Sequence, residues 1–182
     1  MKKKLSPTNS HLNHHQHKYE NIKFSVIIVS DTRYQQLKAK KRVEDLTTPL
    51  IKKLLTENNY ILQNQYIIPN EKTEITQLLL FIIEANDSDF ILFSGGTGIG
   101  PKDITIETLQ PLLEKEMPGF GELFRHFSYE EIGPGAMLSR ATAGIIEKKI
   151  IFILPGNPNA VETALKKLIL PEVDHLLNMI AI

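Results

Sequence analysis

The chain alternates between two hydrophobic rhythms. At Val26-Ile27-Ile28-Val29, Phe90-Ile91-Leu92-Phe93 and Ile150-Ile151-Phe152-Ile153-Leu154 the apolar residues run without a break. Short unbroken runs of strand formers suit strands buried on both faces, as in a parallel sheet covered by helices. The segments between them change period. Leu46, Leu50, Ile51, Leu54 and Leu55 between Val43 and Glu57, then Ile75, Leu78, Leu79 and Ile82 between Glu71 and Glu84, each form one helical stripe. Val161, Ala164, Leu165, Leu168 and Ile169 do the same after Pro158, until Pro171 interrupts the pattern. A further strand is predicted from Ile61 to Ile68, ending at Pro69, and a helix from Thr105 to about Glu116, which Pro111 should kink or interrupt with a new turn. Strands alternating with helices predict an α/β fold, a three-layer α/β/α sandwich with a largely parallel sheet.

Polar residues and glycines collect where these strands end. Ligands of open α/β sheets bind beyond the carboxyl ends of the strands. Three segments are therefore expected on one edge: Ser30-Asp31-Thr32-Arg33, the glycine-dense run from Ser94 to Thr105, and Pro155-Gly156-Asn157-Pro158. Taken alone, the first reads as a turn with an Asx cap. In the third, Asn157 as N-cap and Pro158 at the first helical position are a helix start signal.

Gly95-Gly96-Thr97-Gly98-Ile99-Gly100 has more glycine than a plain strand-to-helix turn needs. Glycine permits positive φ and lets an anion lie directly on backbone N–H groups, so the loop reads as a phosphate cradle. It is not a Walker A loop, because Gly100 leads to Pro101, Lys102 and Asp103 rather than to Lys and Ser or Thr. A dinucleotide fingerprint fails too, since its third glycine would fall on Pro101. Asp103 close to a phosphate either needs a cation such as Mg2+ between the two or caps the helix. Ser139 and Arg140 lie in a run of small residues and suit a phosphate or a planar ring. The alternative for Arg140 is a salt bridge.

Composition narrows the choices. A length of 182 residues fits one domain, and a formal net charge of zero gives no support for a nucleic-acid or membrane partner. There is no cysteine, which excludes disulfides, thiolate catalysis and cysteine metal sites. No apolar run has the length of a signal peptide core or a bilayer span, and a cytoplasmic protein is expected. Residues 1–21 are polar and carry Lys2, Lys3, Lys4, His11, His14, His15 and His17. They are expected to be a disordered tail, with adventitious metal binding the alternative, preceding a single domain over residues 22–182.

Gly95-Gly96-Thr97-Gly98, with Pro101, Asp103 and Thr105 at this spacing, resembles the signature of the MoaB/Mog family of molybdenum cofactor biosynthesis. The likeness continues in order along the chain, through Ser30-Asp31-Thr32-Arg33, Pro118-Gly119-Phe120-Gly121-Glu122, Ser139-Arg140 and Pro155-Gly156-Asn157-Pro158. Ser128-Tyr129-Glu130-Glu131-Ile132-Gly133 is similar to the bacterial MoaB branch in particular. The resemblance implies molybdopterin adenylylation, in which the terminal phosphate of molybdopterin attacks the α-phosphate of ATP and releases pyrophosphate. It assigns Gly95, Gly96, Thr97 and Gly98 to phosphate binding and Asp103 to magnesium or to positioning the nucleophile. Asp31, Thr32, Arg33, Ser139, Arg140, Pro155, Gly156 and Asn157 would shape the rest of the pocket. A homotrimer or hexamer and a molybdate-insertion partner enzyme are implied as well.

Two stretches depart from the family pattern. Lys38, Lys40, Lys41 and Arg42, followed by Asp45-Leu46-Thr47-Thr48, stand where relatives carry an acidic loop closing in Asp-Lys-Ser-Gly. The basic run either attracts a polyphosphate or is a solvated loop. Asn70 in Pro69-Asn70-Glu71 stands where the adenylating branch carries an acid at the metal or phosphoryl centre. An amide can coordinate magnesium but brings no charge, and Glu71 is the neighbouring substitute. Asn70 also reads as the N-cap of the helix that follows. The alternative function is a noncatalytic molybdopterin-binding or carrier protein that has lost adenylylation.

Overall fold

The computed structural model describes residues 19–181. Its six strands are β1 (Lys23–Val29), β2 (Ile61–Ile68), β3 (Phe90–Ser94), β4 (Lys115–Glu116), β5 (Thr142–Ile146) and β6 (Lys149–Leu154), in the order β2-β1-β3-β6-β5-β4. The first four strands in that order are parallel, while β5 and β4 extend the edge antiparallel. The helices are α1 (Asp31–Lys38), α2 (Thr47–Glu57), α3 (Lys72–Ala85), α4 (Thr105–Leu109), α5 (Pro118–Ile132), α6 (Pro158–Ala164) and α7 (Val173–Ile180).

The unbroken apolar runs are explained by two cores. Phe24, Val26 and Ile28 of β1 face one layer, where Ile51 and Leu55 of α2, Phe124 of α5 and Val161 of α6 lie buried. Ile27 and Val29, the alternate residues, face the other layer with Ile75, Leu79 and Ile82 of α3 and Leu109 of α4. Each such side chain contributes about 1.5–3 kcal/mol by leaving water, so both faces of the central strands must be apolar.

The strands end on one edge, and the turns beyond them depart from expectation in instructive ways. Ser30-Asp31-Thr32-Arg33 is not a simple turn but the start of α1, with the Arg33 N–H donating to Ser30 Oγ at 3.3 Å. Because α1 buries none of its residues, it leaves no apolar stripe to read. Asn70 does not cap α3. Glu71 occupies the N-cap position with extended backbone. The helix predicted from Thr105 to Glu116 stops at Leu109, passes through a 3-10 turn at Gln110–Leu112 and becomes β4. Pro111 cannot donate to a helical ladder, whereas the Glu114 and Met117 N–H groups donate to Ile145 and Ala143 carbonyls at 2.9 and 2.8 Å.

Pro118-Gly119-Phe120-Gly121-Glu122 is the first part of α5, with Pro118 at the helix start, where its missing N–H costs nothing. The small-residue run contains β5, which reaches β6 through Glu147 and Lys148, both at positive φ. At the N-terminus, the Tyr19 hydroxyl donates to Asn178 Oδ1 at 3.0 Å. The histidines expected in a tail lie outside the described residues.

Candidate functional site

The carboxyl ends of β1, β3 and β6 open into a cleft of about 630 Å³. Its floor is the glycine loop. Gly95 has φ +111, and a Cβ there would lie 2.2 Å from the Val29 carbonyl oxygen, so no other residue fits without moving β1. Gly96 has φ +62 and packs against the Thr105 hydroxyl. That hydroxyl donates to the Gly95 carbonyl at 2.8 Å, and the Thr105 N–H donates to the Gly96 carbonyl at 2.9 Å. Thr105, wholly buried, is thus the pin that holds the loop's curl.

The β6 exit is stapled to the same loop. Ser94 Oγ donates to the Pro155 carbonyl at 3.1 Å, and Gly156 approaches so closely that a Cβ on it would lie 3.3 Å from Gly95 Cα. Asn157 caps α6 by accepting from the Asn159 N–H at 2.9 Å. Thr47 Oγ1 at the start of α2 reaches the Gly156 carbonyl at 3.5 Å. Rigid placement of two loops against one another is what a preorganised anion site requires.

Asp103 lines the cleft from the far arm of the loop, with Oδ2 accepting from the Gly100 N–H at 3.2 Å. Arg140 lines the cleft too, near enough to Asp103 to feel its charge. Its Nε donates to the Thr97 carbonyl at 2.9 Å, while Nη1 and Nη2 fork onto the Glu107 carboxylate at 2.6 and 3.0 Å. The paired guanidinium holds the Glu107 carboxyl below its ordinary value, and the carboxylate holds Arg140 above its own. Thr32, Arg33, Gly98, Ser139 and Pro155 complete the wall, with the Arg33 Nε donating to the Glu44 carbonyl at 3.1 Å.

Three residues expected at the site lie elsewhere. Asp31, Asn70 and Glu71 line a separate hollow of about 520 Å³ with Pro101, Lys102 and Ile104. There Asp31 Oδ1 accepts from the Asn70 N–H at 2.8 Å, and Asn70 Nδ2 donates to the Lys102 carbonyl. Asn70 Oδ1 is buried without a hydrogen-bond partner among the described residues, and a Cβ on Gly96 would meet it at 2.6 Å. Asn70 thus braces the underside of the glycine loop.

Val29, Gln36, Glu44 and Leu138 line the cleft without having been singled out by sequence, and Glu107 enters as the partner of Arg140. Glu107 had no local signal, since it meets Arg140 across 33 positions of chain.

Magnesium fits the cleft in one way. Among the described residues no three His, Cys, Asp or Glu side chains gather into a metal site. Mg2+ is commonly held by one or two carboxylates together with substrate phosphates and water, and Asp103 beside the glycine loop can serve as that single carboxylate.

Fold and cleft together define an α/β protein whose ligand edge lies at the carboxyl ends of a parallel sheet. Residues 25–175 match the family described as "Probable molybdopterin binding domain", and the chain belongs to that family. It is similar to the "Probable molybdopterin adenylyltransferase" of Methanocaldococcus jannaschii, 47% identical over 158 residues, covering 87% of this chain and 93% of that protein. It is 41% identical to the "Molybdenum cofactor biosynthesis protein B" of Bacillus cereus over 156 residues, 85% of this chain and 88% of that one. The crystal structure of the tungsten cofactor synthesizing protein MoaB from Pyrococcus furiosus superposes with a TM-score of 0.75 at 41% identity, covering 88% of this chain and 98% of that one.

Proposed function

We propose that this protein binds molybdopterin and ATP in the cleft and transfers AMP to the terminal phosphate of molybdopterin. The observation that carries the reading is the rigid glycine cradle with Asp103 and Arg140 both lining the cleft above it. A terminal phosphate oxygen attacks the α-phosphorus of ATP as the bond to the bridging oxygen of pyrophosphate breaks. Two anions must be brought together in line, so positioning and charge neutralisation account for most of the rate.

The backbone of Gly96, Thr97 and Gly98 holds phosphate oxygens, and Arg33 and Arg140 supply positive charge. Ser139, Gly156 and Asn157 shape the pterin end, with Thr32 and Pro155 completing its walls. Asp103 positions the attacking phosphate and is the residue that would hold magnesium. When bound, magnesium would neutralise the phosphates as charge moves to the leaving group. Asn70 serves the reaction through the loop it braces, while Asp31 and Glu71 flank that brace.

The reaction draws on ATP, which suits a cytoplasmic location, and we propose a homotrimer or hexamer that hands its product to a molybdate-insertion enzyme. A second reading, a noncatalytic molybdopterin carrier, is favoured by Asn70, whose amide brings no charge and is committed to Lys102. Single-turnover conversion of molybdopterin with ATP and magnesium separates the two. The enzyme reading expects adenylylated product from the native protein and at least roughly hundredfold slower conversion by Asp103→Ala. Pterin binding with no product from the native protein would establish the carrier.

A further inference from the structure

We infer that Glu107 is a positioning residue for the reaction, acting on the cleft only through Arg140. The inference rests on the proposed reading that Arg140 faces an anion in this cleft. Arg140 lies between the 3-10 turn at Gly133–Leu138 and β5, and its side chain reaches the glycine loop at the Thr97 carbonyl. An arginine with its stem anchored at one end samples many orientations. Two contacts remove that freedom here, the Nε donation to Thr97 and the two-point fork onto Glu107.

Glu107 is well placed to act this way. It lies in α4, two residues after Thr105, the residue that pins the loop's curl, so the carboxylate is carried by the same short helix that fixes the loop. The fork fixes the plane of the guanidinium as well as its position, because two parallel N–H···O bonds allow little rotation. A fixed plane in turn keeps Nε on the Thr97 carbonyl. That carbonyl belongs to the same trans peptide as the Gly98 N–H, so holding one end sets the direction of the other. The remaining guanidinium N–H groups are then presented at the cleft in a single orientation.

Stability is a poor explanation for the pair. The Glu107 side chain is 51% exposed and that of Arg140 33%, and ion pairs this open to water add little to folding. Attraction of anions is a poor one too, since Glu107 offsets the charge of the arginine that would attract them. What the pair gives up in charge it gains in geometry, which is a benefit for a transition state rather than for ground-state binding.

The test is a mutant cycle in the single-turnover assay on the full chain. Glu107→Ala is expected to lower the single-turnover rate constant at saturating ATP roughly tenfold, with the ATP concentration giving half that rate little changed, as a misplaced transition-state group does. Glu107→Gln, which can still accept one bond from the fork, should retain most of the rate. In an Arg140→Ala background the further change Glu107→Ala should cost nothing, because the residue has lost the group it acts on. An equal loss in both backgrounds, or no loss in either, overturns the inference while leaving adenylylation standing.

Should the native protein give no product, the NMR signal of the Arg140 Nε–H separates the two claims. A signal protected from solvent exchange in the native protein and lost in Glu107→Ala retains the held guanidinium and discards the reaction. A signal that Glu107→Ala leaves unchanged, or one unprotected in the native protein, discards the inference.

Discussion

Asn70 is the residue where an expected chemical role and an observed structural one diverge. Its backbone N–H is taken by Asp31, its side-chain N–H donates to the Lys102 carbonyl, and its Oδ1 is buried beneath Gly96. An aspartate there would set a carboxylate oxygen against the Lys102 carbonyl, acceptor against acceptor. Asn70→Asp is therefore expected to destabilise the protein by about 1–3 kcal/mol, read as a lower denaturant midpoint with unchanged slope. The alternative reading, that an acid restores lost chemistry, requires faster adenylylation in the same variant, so one protein preparation tests both.

The Arg140 and Glu107 pair gives a second prediction at this scale. The carboxyl of Glu107 is held below its ordinary value of 4.5 chiefly by the hydrogen bonds from Arg140. A depressed folded value means that the pairing is complete above the ordinary glutamate range and is lost as pH falls through the lowered value. A carboxyl-carbon NMR titration should therefore place the Glu107 midpoint below 4.5, and Arg140→Ala should move it up toward the ordinary value. Sequence named Arg140 from its type and its setting among small residues. It gave Glu107 no distinction, because a contact across 33 positions exists only once pairing with β6 has brought the start of β5 to the carboxyl edge of the sheet.

At the scale of elements, glycines that look alike in sequence have different physical burdens. Gly95 and Gly119 each lie in a segment that resembles a motif of the family. Gly95 sits at positive φ under the Val29 carbonyl, whereas a Cβ on Gly119, within the first turn of α5, would meet nothing within 4 Å. Gly95→Ala is expected to abolish ligand binding and to lower thermal stability sharply, since the backbone conflict cannot be relieved by a side-chain rotation. Gly119→Ala should instead raise stability by about 0.4–1 kcal/mol through the smaller entropy of the unfolded chain. Differential scanning calorimetry of the two variants checks both signs.

The same contrast explains which elements were readable. β1, β3 and β6 announce themselves because both faces are buried, and α2 and α3 because one face is. α1 has no buried residue, and β4 is set by its pairing with β5 rather than by its own two residues. Likewise, Pro118 and Gly119 suggest a break until the helix they begin is seen to run to Ile132.

For the molecule as a whole, the two cores account for the buried apolar residues but leave others at the surface. Tyr129 and Ile132 on the last turn of α5, and Met137 and Leu138 in the turn after it, are all at least half exposed, and Leu138 reaches the cleft wall. Scattered apolar residues at a surface need no explanation, but four along one helix and the turn that follows suit burial against another chain. The oligomer implied by the family resemblance would explain their exposure in a single chain. It would also place a subunit boundary beside the cleft. Sedimentation velocity is expected to show an assembly larger than one chain. Replacing Ile132 and Met137 together by glutamate should then shift it toward the monomer while far-UV circular dichroism stays unchanged, because neither residue belongs to the cores. A native protein that sediments as a single chain would overturn the assembly. An assembly that survives both substitutions would place its interface elsewhere. If dissociation also lowers adenylylation without changing the fold, the wall formed by Leu138 depends on the neighbouring chain, and the active unit is the oligomer.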